Sequence, residues 1–453
     1  MKELEHLSHF YFIGIGGIGM SALARYLNEQ GKKVAGYDRV ATSLTEKLEA
    51  EGIAIHYVDH FEMIPKEFKN AQTAQVIYTP AVPVDFGELV RFRESGVTTI
   101  KRAQLLGQIS RTMTCLAIAG THGKTTTSAM LAHLLYKSDI KVTAFLGGIL
   151  EEYHTNYICS GTDVMVVEAD EFDRSFMQLD PDIAGITAMD ADHLDIYGDA
   201  ATFEKTFHDF AALLKGKTLL INENLDLKGL QIGLDSGDYQ ALHEVIIDGA
   251  YHFDLKTPKG ILENCYLKLP GRHNLSNALM AMAVALEYGV DAGKLQLALA
   301  SFPGVERRFT YRMDTPNRVL IDDYAHHPAE IKAVFQAVTE MYPKEKKLVV
   351  FQPHLFSRTR DFMDEFALAL SQFDKVGLLA IYPARELPID GIHSELLCQK
   401  ITSLENAPEV VRVIEKKDLE EFIKEMHIRV VVMLGAGDIG VEINQLTKKW
   451  SDA

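Results

Sequence analysis

The stretch Gly120-Thr121-His122-Gly123-Lys124-Thr125-Thr126 brings two glycines, a lysine and adjacent hydroxyls together. Glycines let backbone N–H groups close on an anion, and a following helix adds positive partial charge at its N-terminus. At this spacing Lys124 can reach the β- and γ-phosphates of a nucleoside triphosphate, and the Thr125 hydroxyl can sit on Mg²⁺. The general phosphate loop has a glycine five residues before Gly123, where Ile118 stands, so this cradle is a shortened variant. A glycine turn ahead of a core helix, with no ligand, is the bland alternative. A second cluster, Glu168-Ala-Asp170-Glu171, ends an apolar run, and a carboxylate at such a strand tip is a usual Mg²⁺ ligand. Further on, Asp190-Ala-Asp192-His193-Leu-Asp195 offers a histidine that can be a metal ligand, a base or a surface residue.

These groups need rigid elements behind them. Residues 116–118 end an apolar run suited to a buried parallel strand, and Met130, Leu131, Leu134 and Leu135 recur at helical spacing after the loop. Residues 163–167 and 183–187 read as two more strands, each delivering its acidic cluster at the tip. Nearer the start, a strand at 9–13 runs into Gly14-Ile-Gly16-Gly17-Ile-Gly19, followed by Met20, Leu23, Ala24 and Leu27 at helical spacing. A strand at 33–37 then ends at Asp38, roughly the ~20-residue distance at which an acidic residue meets a nucleotide ribose. Alone this turn suggests NAD, though the same carboxylate serves any nucleotide, and an unliganded turn is the alternative. Strands at 75–78 and 98–100 complete an alternation that predicts an open α/β sheet.

A chain of 453 residues exceeds one core, so two to four domains are expected. A formal charge of −17 argues against a nucleic-acid surface, while a few local cations suffice for a small anionic substrate. No apolar run reaches membrane-spanning length, and the first residues lack a signal-peptide pattern. Cys115, Cys159, Cys265 and Cys398 are scattered, with neither a disulfide framework nor a CxxC metal site, as suits a reducing cytoplasm.

Later in the chain, Pro270-Gly-Arg-His-Asn274 opens a long helical pattern that puts Asn274 and Asn277 on one face. Amides there also serve as simple caps. Residues 305–312 read as a connection into another domain, and a strand at 319–321 delivers Asp322-Asp323-Tyr-Ala-His326-His327-Pro328. Adjacent strand side chains diverge, so a role for one histidine at a nucleotide is favoured over a shared ion. A strand at 347–351 leads to Ser357-Arg358-Thr-Arg360-Asp361, where the arginines grip phosphate bidentately or form a solvated helix start. A strand at 376–381 leads to Tyr382-Pro-Ala-Arg385-Glu386. The strand at 430–434 precedes Gly435-Ala-Gly437-Asp-Ile-Gly440, a second GxGxxG with too little chain after it for another dinucleotide unit. It reads as the last strand–helix turn of a Rossmann-like lobe.

GIGGIGM, AGTHGKTTT, VEADE, ADHLDIYG, GRHNLSN, VERRF, DDYAHHP and QPHLFSRTRD occur in the order found in the Mur ligases, and the chain resembles that family over nearly its whole length. The resemblance implies an α/β protein of three domains: a Rossmann-like one over 1–107 for the uridine nucleotide, a central P-loop ATPase over 108–312, and a Rossmann-like C-terminal lobe over 313–453 closing on ATP and an amino acid. It implies a cytoplasmic, ATP- and Mg²⁺-dependent ligase joining L-alanine to the lactyl carboxylate of UDP-N-acetylmuramate through an acyl phosphate, and leaves the oligomeric state open. By the same resemblance, Gly120 to Thr126 would wrap the ATP phosphates, with Asn274 and Asn277 on the adenine side and Asp323 approaching ATP. Thr125 and Glu168 would hold one magnesium, Glu168 and His193 the second, and Arg308, ahead of its neighbour Arg307, would contact phosphate. Lys124, Glu168, His193 and Arg308 would then carry catalysis, while Gly14, Gly16, Gly17, Gly19, Asp38, Arg358, Arg360 and Arg385 would bind substrate.

Two departures stand out. Some members carry a carbamylated lysine bridging the second magnesium; here Lys205 is the nearest lysine, and the aligned position is Phe207. Thr79-Pro80 stands where many members have serines. Three rivals share parts of the pattern: a ligase recycling murein tripeptide, whose glycine loop carries a cysteine and a Thr-Phe pair; an NAD-dependent dehydrogenase; and a non-catalytic nucleotide sensor.

Overall fold

The computed structural model describes residues 2–190, 197, 199–384 and 386–451. Three sheets account for the fold, each built on largely buried apolar runs such as His9–Ile13, Thr114–Ala119 and Val430–Leu434. The first orders its strands Ala54–His56, Lys33–Tyr37, His9–Ile13, Ala74–Tyr78 and Thr98–Lys101, all parallel. This is the doubly wound pattern expected of a Rossmann-like domain, with Ala54–His56 an edge strand too short to show a periodicity.

The second sheet has ten strands, and Thr114–Ala119 lies at its centre between Ile183–Ile186 and Val164–Ala169. Both acidic clusters therefore leave strands that flank the one feeding the phosphate loop. Beyond Val164–Ala169 come Val142–Leu150 and the antiparallel Thr155–Cys159. On the other side the sheet continues through Thr218–Asn222 and Leu230–Gly233 to Tyr239–Ile247, Ala250–Thr257 and Gly260–Leu267. The helix Ile18–Glu29 rests on this sheet, with Tyr26 edge-on to Phe145 at 5.5 Å and buried Arg25 donating to Asn156 at 2.8 Å.

The third sheet orders Thr310–Asp314, Val319–Asp323, Val430–Leu434, Lys347–Phe351, Lys375–Leu378 and Val410–Val413, parallel except for the first. The divisions expected after residues 107 and 312 fall inside the helix Arg102–Ser110 and the strand Thr310–Asp314. The described chain forms two compact units. One comprises Met1–Val245, His252–Tyr266 and Ser276–Pro303; the other comprises Ile246–Tyr251, Leu267–Leu275 and Gly304–Ala453. Among the described residues no helix is long and apolar enough to cross a membrane.

Candidate active site

The strand Thr114–Ala119 stops at Gly120, and the helix Lys124–Lys137 starts four residues later with Gly123 as its N-cap. Both glycines have positive φ, +133° and +81°. A Cβ on Gly120 would lie 2.2 Å from Thr187 Oγ1, and one on Gly123 would lie 2.4 Å from Asn277 Oδ1, so neither position accepts a side chain. Thr121 N donates to Ala188 O at 3.1 Å, and Asp190 N donates to Thr121 Oγ1 at 3.1 Å. The tip of the neighbouring strand thereby fixes the loop. Thr187 also donates to the carbonyl of His122, whose ring faces Asp190 at 3.7 Å. Thr126 is buried in the first helical turn.

Thr125 Oγ1 donates to Glu168 Oε1 at 3.1 Å, and Gly147 N donates to Glu168 Oε2 at 3.0 Å. A hydroxyl and a carboxylate thus converge beside the phosphate loop, a hard-oxygen pair that suits Mg²⁺. Lys124 Nζ sits 2.8–2.9 Å from the two oxygens of Glu171. Burial works against its charge, but Glu171, Asp170 and Glu168 outweigh that and raise its pKa above the ordinary lysine value. In the sequence Glu171 is only one member of the acidic cluster. Its pairing with a lysine 47 positions away is a tertiary fact, and the one signal for it was a cluster with more carboxylates than one ion needs. His193 lies outside the described residues, and among those described no group of three or more His, Cys, Asp or Glu forms a metal cluster. Lys205 is exposed on the helix Ala200–Leu213, while Phe207 is buried edge-on to Phe176 at 5.4 Å.

In the first sheet, Gly14 (φ +84°) and Ile15 donate to Tyr37 O at 2.8 and 3.0 Å, and Gly16 N donates to Asp38 Oδ2 at 2.7 Å. Asp38 therefore closes the turn. Gly17 caps the helix Ile18–Glu29 without help from any side chain. Arg102 lies over Gly19, Nη1 being 2.4 Å from the position of a Cβ there, and pairs with Asp170 at 3.2 Å. Thr79 packs against Gly14 from the neighbouring strand.

Asn277 lies against Gly123, whereas the Asn274 amide donates to Pro270 O at 2.6 Å, tying the first helical turn to the preceding loop. In the third sheet the two adjacent arginines part company. Arg307, at φ +60°, donates to Asp322 at 3.4 Å and to the carbonyls of Gly435 and Gly437. Both arginines lie over Tyr324 at 5.1 Å, but it is Arg308 that lies close enough to Asp323 to favour its charge. Burial still pushes the Asp323 carboxyl up to about 6, although it accepts from Phe309 N and Ala325 N at 2.7 Å each. His327 caps the helix Pro328–Met341, while His326 turns away, hydrogen-bonded to Tyr324 O at 3.0 Å and 3.4 Å from Glu330. Arg358 is buried near His326, but Arg360 is half exposed and paired with its neighbour Asp361 at 2.7 Å. Arg385 lies outside the described residues.

Three successive segments match the models of one family: residues 9–114 the Mur ligase family catalytic domain, 118–285 the Mur ligase middle domain, and 307–439 the Mur ligase glutamate ligase domain. The chain belongs to the Mur ligase family. Within it, the chain is 54% identical over 452 residues to the UDP-N-acetylmuramate–L-alanine ligase of Christiangramia forsetii, covering 99% of each chain. It is 50% identical to the enzyme of the same name from Flavobacterium psychrophilum, again over 99% of each. Among solved structures it is similar to the UDP-N-acetylmuramate–alanine ligase of Thermotoga maritima, at TM-score 0.83 and 29% identity over 98% of this chain and 99% of that one.

Proposed function

We propose that the chain is an ATP-dependent ligase joining L-alanine to the lactyl carboxylate of UDP-N-acetylmuramate, with ADP and phosphate as the other products. The observation that carries this reading is the convergence of Lys124, Thr125 and Glu168 on a shortened phosphate loop, in a chain alike end to end to ligases of that name. A carboxylate is a poor electrophile, and phosphorylation by ATP turns it into an acyl phosphate that an amine can attack. The protein's part is positioning and charge neutralisation rather than covalent chemistry.

Lys124 would neutralise the transferring phosphoryl group, and the amides from Gly120 to Thr126 would cradle its oxygens. Thr125 and Glu168 would hold Mg²⁺, which when bound withdraws charge from the phosphates. His193 would complete a second site. Residues 1–107 are assigned to the uridine nucleotide through Gly14, Gly16, Gly17, Gly19 and Asp38. Residues 108–312 carry ATP, with Asn274 and Asn277 at its base. Arg308, near the end of that segment, would contact phosphate, and residues 313–453 are assigned to ATP and the amino acid through Asp323, Arg358, Arg360 and Arg385. A cytoplasmic setting, where both nucleotides are available, fits the reading.

Phosphate release from ATP with UDP-N-acetylmuramate, in the presence of L-alanine, of murein tripeptide or of neither, tests it: release should depend on L-alanine. Lys124→Ala should lower turnover by ~10³-fold or more, as loss of a transition-state charge contact does, and leave UDP-sugar binding intact. ATP turnover retained in that variant would remove Lys124 from the site.

A further inference from the structure

The Lys124 ammonium has three N–H donors. They meet Gly120 O, Thr121 O at 3.4 Å and the Glu171 carboxylate at 2.8–2.9 Å. Glu171 is only 2% exposed. Its backbone is pinned on several sides. The Tyr197 hydroxyl and Arg174 N both donate to Glu171 O, the latter at 2.9 Å. Asp170 accepts from Phe172 N at 3.0 Å and pairs with Arg102 at 3.2 Å, and Asp173 pairs with Lys101 at 2.5 Å. Asp173 and Arg174 both take left-handed dihedrals, φ 53° and 54°. Two such non-glycine residues in a row are costly and persist only where their surroundings compel them. The segment maintains that conformation while aiming one buried carboxylate at the lysine of the phosphate loop.

We propose that Glu171 is a positioning residue for the ligase reaction, holding the Lys124 ammonium at the loop and competing with ATP for it in the ground state. The inference rests on the reading of Lys124 as the phosphate-binding lysine. To meet a phosphate, Lys124 must redirect donors that now serve Glu171 and the loop's own carbonyls. A fixed carboxylate behind the ammonium keeps it from following the phosphates into whatever pose binds tightest, so it stays where charge develops during transfer. Removing that charge therefore tightens ATP binding and slows the chemistry. Damage to the loop would do the reverse, weakening binding.

The test uses Glu171→Gln and Glu171→Asp in the full chain. Calorimetric titration with a non-hydrolysable ATP analogue gives affinity, and phosphate release with UDP-N-acetylmuramate and L-alanine gives kcat and KM. Glu171→Gln should bind the analogue roughly 3- to 10-fold tighter, lower KM for ATP and lower kcat by ~30-fold. Glu171→Asp, which keeps the charge, should retain an affinity within about twofold of wild type and a kcat within about fivefold. Wild-type constants in Glu171→Gln, or weaker binding at unchanged kcat, would overturn the proposal. Should Glu171→Gln lose its thermal transition, Glu171→Asp decides: a ~30-fold or greater loss of kcat with weakened binding overturns it. A wild-type chain that releases no phosphate would instead remove the functional reading beneath it.

Discussion

Gly14–Gly19 and Gly435–Gly440 share the Gly-x-Gly-x-x-Gly spacing, and each links a buried parallel strand to a helix. Their surroundings differ at the helix start. At the first, no side chain caps the helix, and the nearest cation, Arg102, lies over Gly19. At the second, the chain's own groups fill the approach. Ile439 N donates to Gln352 Oε1 at 2.9 Å, Gln352 Nε2 donates to Asp438 at 2.7 Å, and Arg307 covers Gly440 while hydrogen-bonding the carbonyls of Gly435 and Gly437. The spacing therefore reports a tight strand–helix turn, whose glycines answer to whatever comes close. At the first turn the side chains close on Gly16 and Gly19 and leave Gly17 open; at the second, a glutamine accepts from the helix start and an arginine covers its glycine.

Gly17 offers the largest test of that contrast. Its φ is −64°, and a Cβ there would meet nothing nearer than 3.4 Å, so the free protein accepts a side chain. Gly17→Val should leave thermal stability near wild type and weaken UDP-N-acetylmuramate binding by ~100-fold or more, because the added methyls occupy the space a diphosphate needs at the helix start. Calorimetric titration reads it. Wild-type affinity in this variant would mean that the first turn is as unliganded as the second.

Arg307→Ala probes the filled turn and should invert the pattern. Asp322 is 1% exposed and would keep only Arg312, at 3.0 Å, while the carbonyls of Gly435 and Gly437 lose their donor. Loss of one partner from a buried charge network costs about 2 kcal/mol or more. Urea denaturation should show that loss, while UDP-sugar affinity, which depends on the first turn's own contacts, stays within about twofold of wild type. A variant as stable as wild type would show that Arg307 is not what fills the turn.

The sequence made the strand–turn–helix units legible because buried parallel strands are continuous apolar runs ending in glycines or carboxylates, as at Thr114–Ala119 and Val164–Ala169. Between residues 224 and 267 it shows short strands and turns without fixing their bounds, and the last of them, Gly260–Leu267, is mostly solvent-accessible with no single apolar face. Within the candidate site, residue types and spacing singled out the loop and Glu168, while the Arg307–Arg308 pair came only from the resemblance to the family. Which arginine faces Asp323 depends on the left-handed backbone at Arg307, and no local pattern announces that. The partner of Lys124 was equally hidden, since a 47-residue separation is closed only by the parallel pairing of two strands.

The smallest expected effect separates the two turns by pH. His326 lies in the unit of the filled turn, facing Glu330 on its own helix side and Arg358 and Arg308 from elsewhere in that unit. Burial lowers its pKa from 6.5 to about 4, the two arginines adding to burial and Glu330 opposing it. The folded state thus binds this proton less readily than the unfolded chain. The neutral ring's contribution to stability is complete above pH 6.5 and is lost as pH falls toward 4. At pH 5.5 the loss is about 1 kcal/mol. His326→Gln keeps a donor for Tyr324 O and cannot take up the proton, so urea denaturation at pH 7 and at pH 5.5 should show a shallower decline than wild type by about that amount. Gly17→Val, which alters only the open turn, should follow the wild-type curve throughout; parallel curves for wild type and His326→Gln would place the acid sensitivity in another group.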